Sequence, residues 1–261
     1  MGLEAFSLEG KTALVTGASR GIGEEIAVAY AEAGADLALV ARSASELERV
    51  ADRVRNLGRQ AVAIPCDVGN WDEIDAGVEL ALADLGRIDV LVNNAGGPVF
   101  NAPLLDYRDD GFRRIVELNL FSVARFCQKV GAHMVERGTG SVINNTSVTT
   151  FKPFPTQTAY GAAKAGVLSL TLTLAQEWGP SGVRVNAFGP GWIKTHINRK
   201  VLATRESAEA AVSAVPLRRW GEAGEVAGVA VFLASDASSY VTGAHISVDG
   251  GLSLAWPQVT P

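Results

Sequence analysis

Cysteine is scarce: Cys66 and Cys127 are the only two in 261 residues, they lie far apart, and neither belongs to a CxxC pair. That excludes a disulfide framework and a thiolate zinc cluster, and it fits a reducing cytoplasm. Histidine is almost as rare. His133, His196 and His245 show no HExxH or related ligand spacing, so no metal is assigned. A surplus of one charge is also lacking, since 23 Lys and Arg stand against 28 Asp and Glu, interspersed, for a net charge of -5. Such a surface has no electrostatic footprint for nucleic acid or an anionic membrane, which leaves small molecules as the expected partners. No uncharged apolar run reaches membrane-spanning length, and "MGLEAFSLEGK" has no basic region leading into an apolar stretch. A cytoplasmic chain without span or secretory signal is therefore expected. Myristoylation fails too, because Phe6 stands where a Ser or Thr is required. Asn144 and Asn145 each open an N-x-S/T sequon, read here as chance strings within a strand.

What is present is apolar residue in quantity, 48% of the chain, enough for a sizeable core. Short aliphatic runs alternate with longer stretches of helical period: "TALVTG", "GEEIAVAYAEAG", "DLALVA", "ASELERVADRVRNLG", "AVAIPCD". The alternation continues through "IDVLVNNAG", a helix ending near Arg137, "GSVINNTS", a helix over Thr158 to Trp178, "VRVNAFGPG" and "HISVDGG". This is the pattern of repeated strand-helix units on a parallel sheet of about seven strands. With no linker or repeat, 1–261 reads as one α/β domain, a doubly wound Rossmann fold with helices on both faces. A dinucleotide-binding part is expected over about 10–145 and a catalytic and substrate part over about 146–251. The stretch from Trp192 to about Pro216 has mixed polarity and unusual length, and is expected to be a lid.

In "TALVTGASRGIGEEIA", Gly17, Gly21 and Gly23 fall between the first strand and the first helix, where backbone amides and a helix N-terminus can approach a pyrophosphate. Their spacing is GxxxGxG rather than GxGxxG. Further on come "NNAG" at Asn93 to Gly96, Asn119 in "ELNLF", Ser147, "YGAAK" at Tyr160 to Lys164, "PGWIKT" at Pro190 to Thr195 and "VDGG" at Val248 to Gly251. In this order and spacing the chain, from Gly10 to Gly251, resembles the short-chain dehydrogenase/reductases. Within that family it looks similar to 3-oxoacyl-(acyl carrier protein) reductases and related ketoreductases, glucose dehydrogenases included.

The resemblance implies a nicotinamide dinucleotide held by Gly17, Ser19, Arg20, Gly21, Ile22 and Gly23. It places Asp67 and Val68 at the adenine, and Asn94 and Gly96 beside the adenosine ribose. Pro190, Gly191, Ile193 and Thr195 fall at the nicotinamide. Members using NAD usually end the second strand with an acidic residue on the ribose 2'-hydroxyl; here Ala41 stands there, followed by Arg42. Arg20 and Arg42 could bracket a 2'-phosphate as charge-assisted donors, so NADP (NADPH) is the expected cofactor. The plain alternatives are solvated strand-end arginines, a strand-ending Asp67 and a turn-capping Asn94.

Reducing a ketone needs a hydride, which the cofactor supplies, and a proton, which the protein must supply. Tyr160 is the candidate acid. Its free phenol would have a pKa of about 10, and Lys164, one helical turn on, could offset the gap to neutral pH by on the order of 4 kcal/mol at about 4 Å. Ser147 would donate to the substrate oxygen. In the family Lys164 also holds the nicotinamide ribose, and Asn119 supports a water chain that returns the proton. Taken singly, Tyr160 and Lys164 could be an exposed helix pair, Ser147 a strand end and Asn119 a surface amide.

Between Ser147 and Tyr160 lies "VTTFKPFPTQTA", bulkier than the small-residue segment common in the family. Phe151, Pro153, Phe154 and Pro155, with Phe100, Trp192 and the lid, could wall an apolar pocket, or could pack in the core. A carbonyl substrate with a hydrophobic body, a 3-oxoacyl group or a bulky ketone, is expected and a sugar less favoured. The alternatives are an NAD-dependent secondary alcohol or sugar dehydrogenase and, lower, a non-catalytic NADPH-binding regulator. Family members are commonly homotetramers, and the apolar tail "LSLAWPQVTP" is expected to dock on a neighbouring subunit.

Overall fold

The computed structural model describes residues 2–108 and 110–254. The docking expected of the tail, from Ala255 on, lies outside the described residues. Seven parallel strands form one sheet in the order β3-β2-β1-β4-β5-β6-β7. They are β1 (Thr12–Thr16), β2 (Asp36–Ala41), β3 (Ala61–Pro65), β4 (Val90–Asn93), β5 (Gly140–Asn145), β6 (Val183–Pro190) and β7 (His245–Val248). The helices are α1 (Gly21–Glu32), α2 (Ala44–Asn56), α3 (Trp71–Leu85), α4 (Gly111–Val116), α5 (Ser122–Arg137), α6 (Thr158–Trp178), α7 (Arg205–Val212) and α8 (Ala223–Ala234). Between α4 and α5 the helix widens to a π-turn over Glu117–Phe121.

The two-residue period of the strands sorts their side chains onto two cores. Ala13, Val15, Leu37, Leu39, Val90 and Val92 face one layer, packed with Ile26 of α1, Val50 of α2 and Ala230 of α8. Leu14, Ala38, Val40, Leu91, Val142 and Val185 face the other, packed with Ile74 of α3, Phe126 of α5 and Val167 of α6. All five residues of β1 are buried, as expected of a central strand covered on both faces. The Tyr30 hydroxyl on α1 donates to the Ala230 carbonyl of α8 at 2.9 Å, closing the first layer with a buried bond worth about 1 kcal/mol. Local signals set the helix starts: Ser43 accepts from the Glu46 amide ahead of α2, and Asn70 from the Asp72 amide ahead of α3.

After β3 the chain returns to pair β4 with the other side of β1. The strand order reverses there, the place at which open α/β sheets bind their ligands, outside the carboxyl ends of the strands. The segment 192–216, expected as a lid, is not plain loop: Thr204 caps α7 by accepting from the Ser207 amide. Trp192, Ala208, Ala211 and Val212 share a third small core with Val148, Val215, Trp220 and Leu252. Among the described residues no helix is long and apolar enough to cross a membrane, and no group of three or more His, Cys, Asp and Glu could hold a metal.

Candidate active site

At the end of β1 the backbone turns so tightly that side chains are excluded. Gly17 has φ +66, and a β-carbon on it would come within 2.9 Å of the Ala95 backbone; one on Gly23 would collide with the Gly17 carbonyl. The loop delivers the first turn of α1, whose leading amides have no partners within the helix, to the crevice floor. The far side is tied in by hydrogen bonds: Thr16 Oγ1 accepts from the Asn94 and Ala95 amides at 2.9 and 3.0 Å, and Asn94 Nδ2 donates to the Thr16 carbonyl at 3.0 Å. A floor of bare backbone with free amides at a helix start fits the diphosphate of a dinucleotide.

The surrounding candidates take graded positions. Arg42 is exposed at the end of β2, Arg20 lies 3.7 Å from Glu46, and Ser19 is buried with its carbonyl accepting from Arg49. The Asp67 carboxylate accepts from the Gly69 amide at 3.0 Å, so it shapes its own turn, while Val68 is buried. The Ile193 side chain is buried in the first core and its carbonyl accepts from Asn198 Nδ2 at 2.7 Å, while the residue borders the cleft that Tyr160 lines.

Ser147 follows β5 and Tyr160 opens α6, with Lys164 one turn on. Ser147 and Tyr160 line the same cleft, and Lys164 Nζ sits 5.8 Å from the centroid of the Tyr160 ring. Burial pushes the Tyr160 phenol up to about 12, with the neighbouring Ser147 hydroxyl pulling the other way, and burial pulls the Lys164 ammonium down to about 8. Both groups lose hydration, and Lys164 spends its shortest bond, 2.6 Å, on the Asn145 carbonyl. Asn119 stands buried within the π-turn. Its amide donates to the Gly97 and Ile115 carbonyls and accepts from the Gly97 amide at 2.8 Å, which clamps the turn at Gly96 and Gly97 from inside the π-turn. A β-carbon on Gly96 would lie 2.5 Å from Asn119 Oδ1.

A cleft runs past these groups; Ser147, Tyr160, Lys164, Gly96, Pro190, Gly191 and Thr195 line it. Of the aromatics expected there, Phe154 and Trp192 do line it, with ring centroids 6.1 Å apart. Phe151 and Phe100 do not. Phe151 stacks edge-on against His245 at 4.8 Å, and Phe100 packs on Tyr107 at 5.0 Å and over Gly111. Their rings found tertiary partners that nothing local in the sequence announces. Sequence reasoning missed Asn145, Thr149, Gln157 and Asn198 on the cleft wall, whose polarity looks unremarkable in a linear string.

A family model described as enoyl-(acyl carrier protein) reductase matches residues 17–253. The 2-dehydro-3-deoxy-D-gluconate 5-dehydrogenase of Pseudoalteromonas atlantica is 42% identical over 250 residues, 95% of this chain and 98% of that protein. The 3-oxoacyl-(acyl carrier protein) reductase of Thermotoga maritima is 39% identical over 247 residues, 95% of this chain and 99% of that one. A crystal structure of a gluconate 5-dehydrogenase from Burkholderia cenocepacia, in complex with NADP and tartrate, superposes with a TM-score of 0.92 at 36% identity, over 97% of this chain and 99% of its own. Full-length matches at this identity, on one sheet topology, make the chain a member of the short-chain dehydrogenase/reductase family of nicotinamide-dependent oxidoreductases.

Proposed function

We propose that this chain reduces a ketone to a secondary alcohol with NADPH, and runs the same reaction backwards with NADP. The observation that carries this is that Ser147, Tyr160 and Lys164 line one cleft, with Lys164 buried beside the tyrosine ring. The nicotinamide supplies the hydride when bound. Tyr160, neutral at physiological pH because burial keeps its phenol near 12, gives its proton to the substrate oxygen. Ser147 donates a hydrogen bond to that oxygen and stabilises the negative charge that grows on it. The Lys164 ammonium stabilises the phenolate that Tyr160 becomes until water returns its proton. In oxidation the phenolate is the base. Gly17, Gly21 and Gly23 hold the diphosphate, while Gly96, beside the Gly97 that Asn119 clamps, and Asn94, tied to Thr16, shape the ribose side.

Preference for NADP is supported by Ala41 in place of an acid, by Arg20 and Arg42 at the adenosine end, and by a relative whose crystal holds NADP. Segment 192–216 acts as the lid, and the working unit is a homotetramer. The substrate best supported is a polyhydroxy acid bearing a carbonyl. Thr149 Oγ1 is buried without a partner among the described residues, and the Gln157 and Asn198 amides line the cleft with it. The relatives named for gluconate derivatives point the same way. A second reading, a 3-oxoacyl thioester, is favoured by the apolar wall of Phe154 and Trp192 and by the Thermotoga relative. NADPH consumption should be followed with 5-keto sugar acids beside 3-oxoacyl thioesters, with Tyr160→Phe as blank. Turnover of a keto acid, abolished in Tyr160→Phe with NADPH affinity intact, is expected; activity retained in Tyr160→Phe would remove the tyrosine from its role.

A further inference from the structure

Asparagine pairs occur at the ends of two neighbouring strands, Asn93-Asn94 after β4 and Asn144-Asn145 in β5. The backbone ladder between these strands ends at the pairing of Asn93 with Asn144. Beyond that rung the strands part. The Asn94 amide leaves β5 and donates to Thr16 Oγ1, carrying its chain toward β1 and the glycine loop. A side-chain bond spans the resulting gap, with Asn145 Nδ2 donating to Asn94 Oδ1 at 3.0 Å.

The two asparagine pairs face opposite sides of the sheet and differ in surroundings. Asn93 and Asn144 are sealed in the core, where Asn93 Nδ2 donates to Asn144 Oδ1 at 2.9 Å and Asn144 Nδ2 to Thr171 Oγ1 at 2.9 Å. Asn145 instead borders the cleft. Its carbonyl accepts from Lys164 Nζ at 2.6 Å, while Asn94 Nδ2 donates to the Thr16 carbonyl at 3.0 Å. Through the side-chain amide of Asn145 on one hand and its backbone carbonyl on the other, Asn145 thus links Asn94 and the end of β1 to Lys164. Asn145 Oδ1 is buried and has no partner among the described residues. An unmet buried acceptor costs stability. What the amide supplies in return is the bond to Asn94 Oδ1 across the gap.

We propose that Asn145 is a positioning residue, which holds Lys164 at a set distance from the glycine loop across the gap where β4 and β5 part. The proposal rests on the reading of Lys164 as part of a reducing site. Because the rung joins Asn94, tied to the end of β1, to Asn145, bonded to Lys164, it couples cofactor binding at the glycine loop to the lysine.

The test is a double-mutant cycle with Asn94→Ala, Asn145→Ala and the double variant, reading NADPH Kd by fluorescence titration together with kcat and substrate KM. Asn145→Ala should raise Kd about threefold and lower kcat about tenfold, with substrate KM changed less than about twofold, and the double variant should be no worse than the poorer single one. Asn145→Thr, too short to reach Asn94, serves as a second variant and should behave alike if alanine impairs folding. A rung that is merely structural would lower the unfolding midpoint and leave Kd and kcat unchanged, which overturns the proposal, as does a double variant whose losses multiply. The Kd cycle needs no substrate. A native chain that turns over no ketone overturns the functional reading, while non-multiplying Kd losses in that chain still uphold the rung.

Discussion

Lys164 is 2% exposed and its ammonium is held near 8 by burial, against the usual 10.5. At about 1.4 kcal/mol per pKa unit, that charge costs the fold on the order of 3 kcal/mol at neutral pH. The cost is complete below pH 8, where folded and unfolded chains are both protonated, and shrinks as pH rises from 8 toward 10.5. Lys164→Met should therefore raise the unfolding midpoint at pH 7 by a few degrees, less at pH 10, while abolishing turnover. Calorimetry at the two pH values checks it, and a midpoint that falls at pH 7 would contradict the cost. Arg42 is exposed at the end of β2, where a guanidinium can meet a 2'-phosphate and a carboxylate would repel it. Arg42→Asp should turn an NADPH preference into an NADH preference, read as the ratio of kcat/KM values for the two cofactors. At this scale Tyr160, Lys164 and Ser147 were legible because their spacing is local or motif-bound. The chemistry between them was not: the raised phenol and the Asn145 acceptor depend on burial and on a neighbouring strand.

Element boundaries were most legible where the local signal was strong. β2 and α6 run over the residues that the sequence pattern marks, Asp36–Ala41 and Thr158–Trp178, since one is a bare aliphatic run and the other has 21 residues without Gly-Pro interruption. The π-turn at Glu117–Phe121 leaves no such mark. It arises where Asn119 must turn inward to hold Gly97, and π-turns gather at functional sites for that kind of reason. Segment 192–216 was recognisable as unusual by length alone. Its helix α7 is short, and its apolar side is covered only when Val148, Trp220 and Leu252 arrive from elsewhere in the chain. Trp220 Nε1 donates to the Ala208 carbonyl at 2.9 Å and pins α7 to that cluster. The segment thus has a core of its own, shared with Phe154 of the cleft wall, so its position and the pocket's shape are coupled.

For the molecule as a whole, the exposed apolar residues Phe112, Phe121 and Leu172 lie on α4, the π-turn and α6. A face of this kind suits association with further copies of the chain. Light scattering should give four times the chain mass of 27.3 kDa, and a mass of one chain at micromolar concentration would dismiss the tetramer. The sequence by itself determined the class of fold and the chemistry within reach. Its strand-helix alternation demands a covered parallel sheet, and its glycine spacing and Tyr-x-x-x-Lys pair are short-range patterns written along the chain. Only the tertiary structure decided which groups meet. The direction of the Tyr160 and Lys164 shifts, the clamp of Asn119 on Gly97, the exclusion of Phe151 and Phe100 from the cleft and the rung from Asn94 to Asn145 all join residues from different strands and helices. Desolvation and packing act on three-dimensional neighbours, and no linear string states who those neighbours are.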